Sequence, residues 1–223
     1  MKKITPSKKK TISNHWNQKY PGLVLYKSMW LLRRIGPLLQ GICLDRDSTN
    51  ANYLPTFHVH NLIGQEDDFI SLSLKRVLVK SNGTPQRITE MQHDKNFEEY
   101  IKEFNGIVPF CFAGDIKLKA IVKAYEQEIN NGRADTKYPL QQWYDLVCLY
   151  LWAGKKKDAE KLFIKAKQSI ELWPVEVTGY IKDRIDKFML LQAYIEKPLR
   201  LPDLVEQALE VLKLDDLPSS EIL

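Results

Sequence analysis

The sequence has 223 residues and a mass of 26.0 kDa, and 44% of the residues are hydrophobic and 27% charged. This is the composition of an ordinary globular protein, and it excludes collagen-like and low-complexity chains. The net charge of +5 is uneven, because residues 1–80 carry 13 basic and 5 acidic side chains whereas residues 175–223 carry 6 and 10.

The first thirteen residues predict a disordered basic arm. The charged start resembles that of a signal peptide, but the apolar segment that should follow is absent, and the chain has no run of 18 apolar residues. We therefore expect a cytoplasmic protein that does not enter the membrane. The lysines of the arm could hold nucleic-acid phosphates, although the rest of the chain is neutral without them. They are Lys2, Lys3, Lys8, Lys9 and Lys10.

Residues 14–112 predict a mixed α+β region, a small antiparallel sheet with helices. Apolar and aromatic residues at helical spacing predict a helix near 22–34, and a second stripe predicts a helix that ends at Gly106. Strands are expected only between residues 36 and 112. They are predicted from three apolar or alternating runs, at 38–44, 56–62 and 70–79.

Residues 113–223 predict an all-helical region. The hydrophobic period is close to 3.6, and prolines separate the segments. The predicted helices are 116–131, 139–153, 156–172, 175–196 and 203–213. The fold class expected for the whole chain is therefore α+β, with a helical bundle as its second half.

Two of these helices carry a motif. Trp143, Leu146, Tyr150 and Gly154 are followed by small and aromatic residues at Ala159, Phe163 and Ala166. The spacing resembles a tetratricopeptide repeat, in which small residues let the two helices approach closely. No second copy occurs 34 residues away, so an ordinary antiparallel hairpin is the alternative. The resemblance implies partner binding on a helical surface and no catalysis.

A metal site in the first half is a second alternative. His58 and His60 lie two apart on a predicted strand, so both point to one face, and Glu66 follows shortly after. A metal-dependent enzyme would use these three residues. The opposing interpretation is two structural histidines, with no cofactor. The three cysteines, Cys43, Cys111 and Cys148, lie in apolar runs and are expected to be reduced structural thiols.

A basic cluster on the turn and second helix of the hairpin is the predicted partner-binding surface. It consists of Lys155, Lys156, Lys157, Lys161 and Lys165, with Trp152 beside it. Phosphate loops, nucleophile elbows and kinase signatures are absent from the sequence. The sequence therefore favours a non-enzymatic protein that binds another protein, with an acidic partner suiting the lysines. A bacterial immunity or antitoxin-type protein, or an accessory subunit of a defence or secretion system, fits this profile.

Overall fold

The computed structural model describes residues 3–64, 69–130, 137–214 and 216–223, apart from the side chain of Leu199. The fold is α+β, with 52% helix and 20% strand, as the sequence predicts. In chain order the elements are α1 (Pro6–Lys19), β1 (Val24–Lys27), β2 (Trp30–Ile35), β3 (Leu38–Arg46), β4 (Asn52–Asn61), β5 (Leu74–Val77), β6 (Ile88–Thr89), α2 (Glu90–Ile107), α3 (Leu118–Asn130), α4 (Leu140–Trp152), α5 (Lys156–Glu171), α6 (Val175–Tyr180), α7 (Lys182–Met189), α8 (Leu191–Glu196), a 3-10 turn (Pro198–Arg200), α9 (Leu201–Leu212) and β7 (Ser219–Ser220).

The chain forms two compact units, and each is assembled from separate segments of sequence. The sheet unit comprises residues 1–60, 74–116 and 216–221. The helical unit comprises residues 61–73, 117–215 and 222–223. The chain therefore passes from one unit to the other several times.

The sheet has the strand order β1-β2-β3-β4-β5, and its neighbouring strands are largely antiparallel. The two short strands extend it, because β6 pairs antiparallel with β4 and β7 pairs parallel with β2. The prediction that all strands lie within residues 36–112 is therefore wrong. Two strands, β1 and β2, come before that range, and β7 comes after the last helix.

Residues 22–34 form a strand hairpin, so the helix predicted there is wrong. Met29 lies in the turn with a φ of 70°, and Trp30 begins β2. Of the residues in β2, Leu31 and Leu32 are both buried although they point to opposite faces of the sheet. A strand that is covered on both sides loses the polar–apolar alternation that identifies strands in sequence.

A helix, α1, replaces most of the disordered arm predicted for residues 1–13. Thr5 caps it, since the threonine hydroxyl accepts the backbone N–H of Lys8, and Pro6 occupies its first turn. Ile12 and Trp16 are fully buried, and the Trp16 ring meets Phe104 of α2 edge-on. The arm prediction is therefore wrong from residue 6 onward, and Lys8 forms a salt bridge with Asp94.

A buried arginine holds the sheet unit together at one edge of its core. Arg33 of β2 is 2% exposed and donates to Gln40 at 2.7 Å, to the Gly114 carbonyl at 3.0 Å and to the Cys111 carbonyl at 3.1 Å. It also donates to the hydroxyl of Ser220 in β7 at 3.2 Å. One guanidinium therefore joins three segments that are remote in sequence.

The helical unit contains the predicted helical hairpin, formed by α4 and α5. Gly154 has a φ of 68° in the turn, where a side chain would be strained. Ala159 and Ala166 are fully buried, which allows the two helices to approach closely, and Phe163 stacks on Phe188 of α7. Residues 175–196 are divided into three short helices where the sequence predicts one.

The cysteines are free thiols with different environments: Cys148 is buried, Cys43 is half-buried and Cys111 is exposed. Cys111 is thus not the buried thiol that its apolar run predicts. Among the described residues, none of the helices is both long enough and apolar enough to cross a bilayer.

Candidate functional site

The helical unit has an open cleft of about 890 Å³. Its walls come from the segment 69–73, from the start of α4, and from α6 and α7. Most of the lining is apolar or aromatic, including Leu72, Tyr138 and Phe188. Clefts of this size that combine apolar walls with a few polar groups are typical ligand sites.

Polar groups lie on the side of the cleft formed by α4. Gln142 donates its amide N–H to the Ser73 carbonyl at 3.1 Å, and Gln141 donates to the carboxylate of Asp145 at 2.9 Å. Tyr144 donates its hydroxyl to the Ile63 carbonyl at 3.2 Å. Each of these side chains is therefore oriented by a hydrogen bond to another group within the unit.

Asp145 is a fully buried carboxylate behind this wall. It accepts hydrogen bonds from Tyr125 at 2.9 Å and from Asn61 at 3.2 Å, in addition to Gln141. Burial raises the pKa of the Asp145 carboxyl, and these donors oppose that rise by stabilising the charged form. The network holds Asn61 against α4 and joins α4 to α3 through Tyr125.

The sequence analysis missed the Asp145 network and the cleft. One signal was present: Asp145 is the only charged residue in α4, and it lies between Tyr144 and Leu146 in a helix that is otherwise almost wholly buried. An acid inside such a run predicts a satisfied buried carboxylate. Two of its partners, Asn61 and Tyr125, come from other segments, which no local pattern identifies.

The predicted basic surface is present on the outside of the hairpin. Lys155, Lys156 and Lys157 are exposed at the turn, and Lys161 and Lys165 are exposed on α5. Lys156 forms a salt bridge with Glu160 at 4.0 Å. Within the described part of the chain, no carboxylate comes within 4.0 Å of the other four ammonium groups, and Trp152 is half-buried at the end of α4.

Three of these lysines form a row along α5. Lys157, Lys161 and Lys165 follow one another at intervals of four residues, so they lie on one face of the helix. Ile164, beside them, is exposed to 54%. Like charges at this spacing destabilise a helix by about 0.2–0.5 kcal/mol per pair.

The structure places His58 and His60 on β4, both fully buried. The Nε2 atom of His58 accepts the indole N–H of Trp30 at 2.7 Å, and Gly41 leaves the space for this contact, since a Cβ there would lie 3.0 Å from the same atom. Burial, and to a lesser extent His60, lower the pKa of His58 to about 3. A neutral, hydrogen-bonded core histidine accounts for these contacts.

The proposed third ligand, Glu66, lies outside the described residues. Within the described residues, no three His, Cys, Asp or Glu side chains group in a way that could hold a metal ion. The Nε2 atom of His58 accepts the Trp30 indole N–H and is therefore not free to bind a metal ion. The metal alternative with His58, His60 and Glu66 stays a prediction.

A second buried polar chain joins α1 to α2. The indole N–H of Trp16 donates to the Tyr53 hydroxyl at 3.3 Å, and this hydroxyl lies 2.6 Å from Nδ1 of His93. Nε2 of His93 lies 3.0 Å from Nδ1 of His15. Because the indole can only donate, the Tyr53 hydroxyl accepts the indole N–H, and the tautomer of His93 sets which atom donates in the other two contacts. Burial, followed by the charge of His15, lowers the pKa of His93 to about 4.

Comparisons with protein-family models, with curated proteins and with solved structures found no significant match to this chain. The antiparallel hairpin is a structural observation, while the tetratricopeptide resemblance rests on its residue pattern alone.

Proposed function

We propose that this protein binds an acidic protein partner through the exposed basic surface of α5. The observation that carries the proposal is the row of Lys157, Lys161 and Lys165, which has no acidic neighbours at salt-bridge distance among the described residues. Such a row costs the free helix some stability, and an acidic partner would remove that repulsion.

The geometry favours a recognition role over a structural one for these lysines. Their ammonium groups are exposed, whereas the apolar side of the same helix, with Phe163 and Ala166, is buried in the unit. Exposed charges of one sign chiefly accelerate association with an oppositely charged surface, and salt weakens the effect. An immunity, antitoxin-type or accessory-subunit role is the biological setting that we infer for such a protein.

The test compares two triple variants with the same net charge. Lys157, Lys161 and Lys165 are changed to Glu in one, and the exposed Lys102, Lys119 and Lys197 are changed to Glu in the other. Each variant and the wild type are used to capture proteins from nuclease-treated extracts of the source cells. The captured partner is then purified, and its association rate is measured against salt concentration.

The α5 variant should bind the partner at least tenfold more slowly at low salt and lose most of its salt dependence, while the control variant stays within about threefold of the wild type. Equal effects of the two triple variants would contradict the proposal. So would capture of nucleic acid in place of protein when the nuclease is left out, a result that favours the nucleic-acid alternative.

A further inference from the structure

The cleft of the helical unit contains a cation that forms no salt bridge with the described residues. Lys187 of α7 is half-buried and lines the cleft. No carboxylate of the described residues lies within 4.0 Å of its ammonium group. Keeping an unpaired charge partly out of water costs free energy, which a bound anion would recover.

The charged residues that line the cleft differ in their exposure to solvent. The acidic residues Glu176, on α6, and Asp183, on α7, are both exposed, and so is Arg184 on α7. Lys187 is the least exposed charged group of the set. An anion that enters the cleft therefore meets a lysine that is less exposed to water than the acids around it.

The aromatic and aliphatic side chains that line the cleft with Lys187 could bind a planar apolar group. Tyr138, Tyr144 and Phe188 contribute rings to the lining, and Leu72 adds an aliphatic surface. Gln141 and Gln142 each use one amide N–H within the protein, and each has a second N–H to donate to a ligand. The aromatic rings fit a ligand with an aromatic body, and the two amides and the lysine fit one negative charge on it.

We propose that this cleft binds a small aromatic carboxylate, with its ring between the aromatic walls and its carboxylate on Lys187. This inference goes beyond the binding of a protein partner and does not depend on it, because none of the α5 lysines lines the cleft. The ligand carboxylate replaces hydration water at the ammonium and accepts amide N–H groups from the α4 wall.

The experiment uses the full chain and two probes, 1-naphthaleneacetate and its neutral amide, 1-naphthaleneacetamide. Binding is measured by calorimetry and located by changes in backbone NMR shifts. The variant is Lys187→Gln, which keeps the aliphatic stem and removes the charge. The matched control is Lys182→Gln, an exposed lysine on the same helix that does not line the cleft. Thermal melting checks that both variants are folded.

The wild type should bind the carboxylate about tenfold more tightly than the amide, with shifts at residues 69–73 and 138–144. Lys187→Gln should weaken carboxylate binding by about the same factor and leave amide binding unchanged, and Lys182→Gln should change neither by more than about twofold. Failure of the carboxylate to bind would overturn the proposal. Equal binding of the two probes, or equal weakening of both by Lys187→Gln, would also overturn it.

Discussion

At the scale of single residues, buried histidines make the stability of the sheet unit depend on pH. His93 and His58 both have a lowered pKa, about 4 and about 3, because burial disfavours their charged forms. In the unfolded chain both titrate near pH 6.5. Below that pH the unfolded state binds more protons than the folded state. The contribution of the two histidines to the free energy of unfolding is therefore fully present above about pH 6.5, and it is lost as the pH decreases toward 4.

A single substitution isolates the contribution of His93. In His93→Asn the side-chain amide can donate to or accept from the Tyr53 hydroxyl that His93 contacts, but the side chain no longer titrates. Between pH 7.5 and pH 5, the wild type should lose about 2 kcal/mol more unfolding free energy than the variant. Urea unfolding at the two pH values measures this difference, and identical pH dependence of the two proteins would contradict it.

Residue chemistry also explains why the candidate site was only partly predictable. The lysines of the basic surface were predictable, because exposed charges on an amphipathic helix are visible as a pattern. The cleft was not, since Ser73, Gln142 and Lys187 meet only through tertiary structure. His58 and His60 were predicted as alternative metal ligands, and both side chains are buried in the core.

At the scale of secondary structure, the two faces of α5 should respond differently to truncation. Phe163 is 6% exposed and stacks on Phe188, with ring centroids 5.3 Å apart, whereas its neighbour Ile164 points outward. Phe163→Ala should cost about 3–5 kcal/mol of unfolding free energy because it leaves a cavity. Ile164→Ala is the matched control and should cost less than about 1 kcal/mol.

Chemical denaturation of the two variants measures both costs, and binding of the acidic partner by Ile164→Ala provides a check on function. A Phe163→Ala variant as stable as the control would mean that the hairpin does not pack on α7 in solution.

Several secondary-structure elements were predicted from sequence, and two regions were not, each for a local reason. The strand β3 and the helices α2, α4 and α5 follow the expected periods. The hairpin of β1 and β2 was mistaken for a helix, because Tyr26, Met29 and Trp30 happen to have helical spacing. The helix α1 was missed, because its lysines suggested a solvated arm while Ile12 and Trp16 form its buried side.

At the scale of the whole molecule, Arg33 is the point where distant segments converge. Replacing it with Lys keeps a charge but removes the planar fork that reaches Gln40, Cys111 and Gly114 at once. Arg33→Lys should cost about 3–5 kcal/mol of unfolding free energy, since carbonyls and an amide lose their buried donor. The neighbouring Arg34→Lys, at a half-buried position, should cost about 1 kcal/mol or less.

Thermal or urea unfolding of the two arginine variants gives this comparison. Hydrogen exchange at residues 219–220 adds a local readout, and faster exchange there should accompany Arg33→Lys alone. Equal stability of the two variants would show that the buried guanidinium does not hold the segments together.

The parallel pairing of β7 with β2 has a consequence during protein synthesis. Arg33 and Ser220 are separated by 187 residues, yet they share a hydrogen bond. At ribosomal rates of about 5–20 residues per second, Ser220 is synthesised roughly 10–40 s after Arg33. Throughout that interval the nascent sheet has an unpaired segment at β2 and an incompletely satisfied arginine, so this is the period in which chaperone protection would matter most.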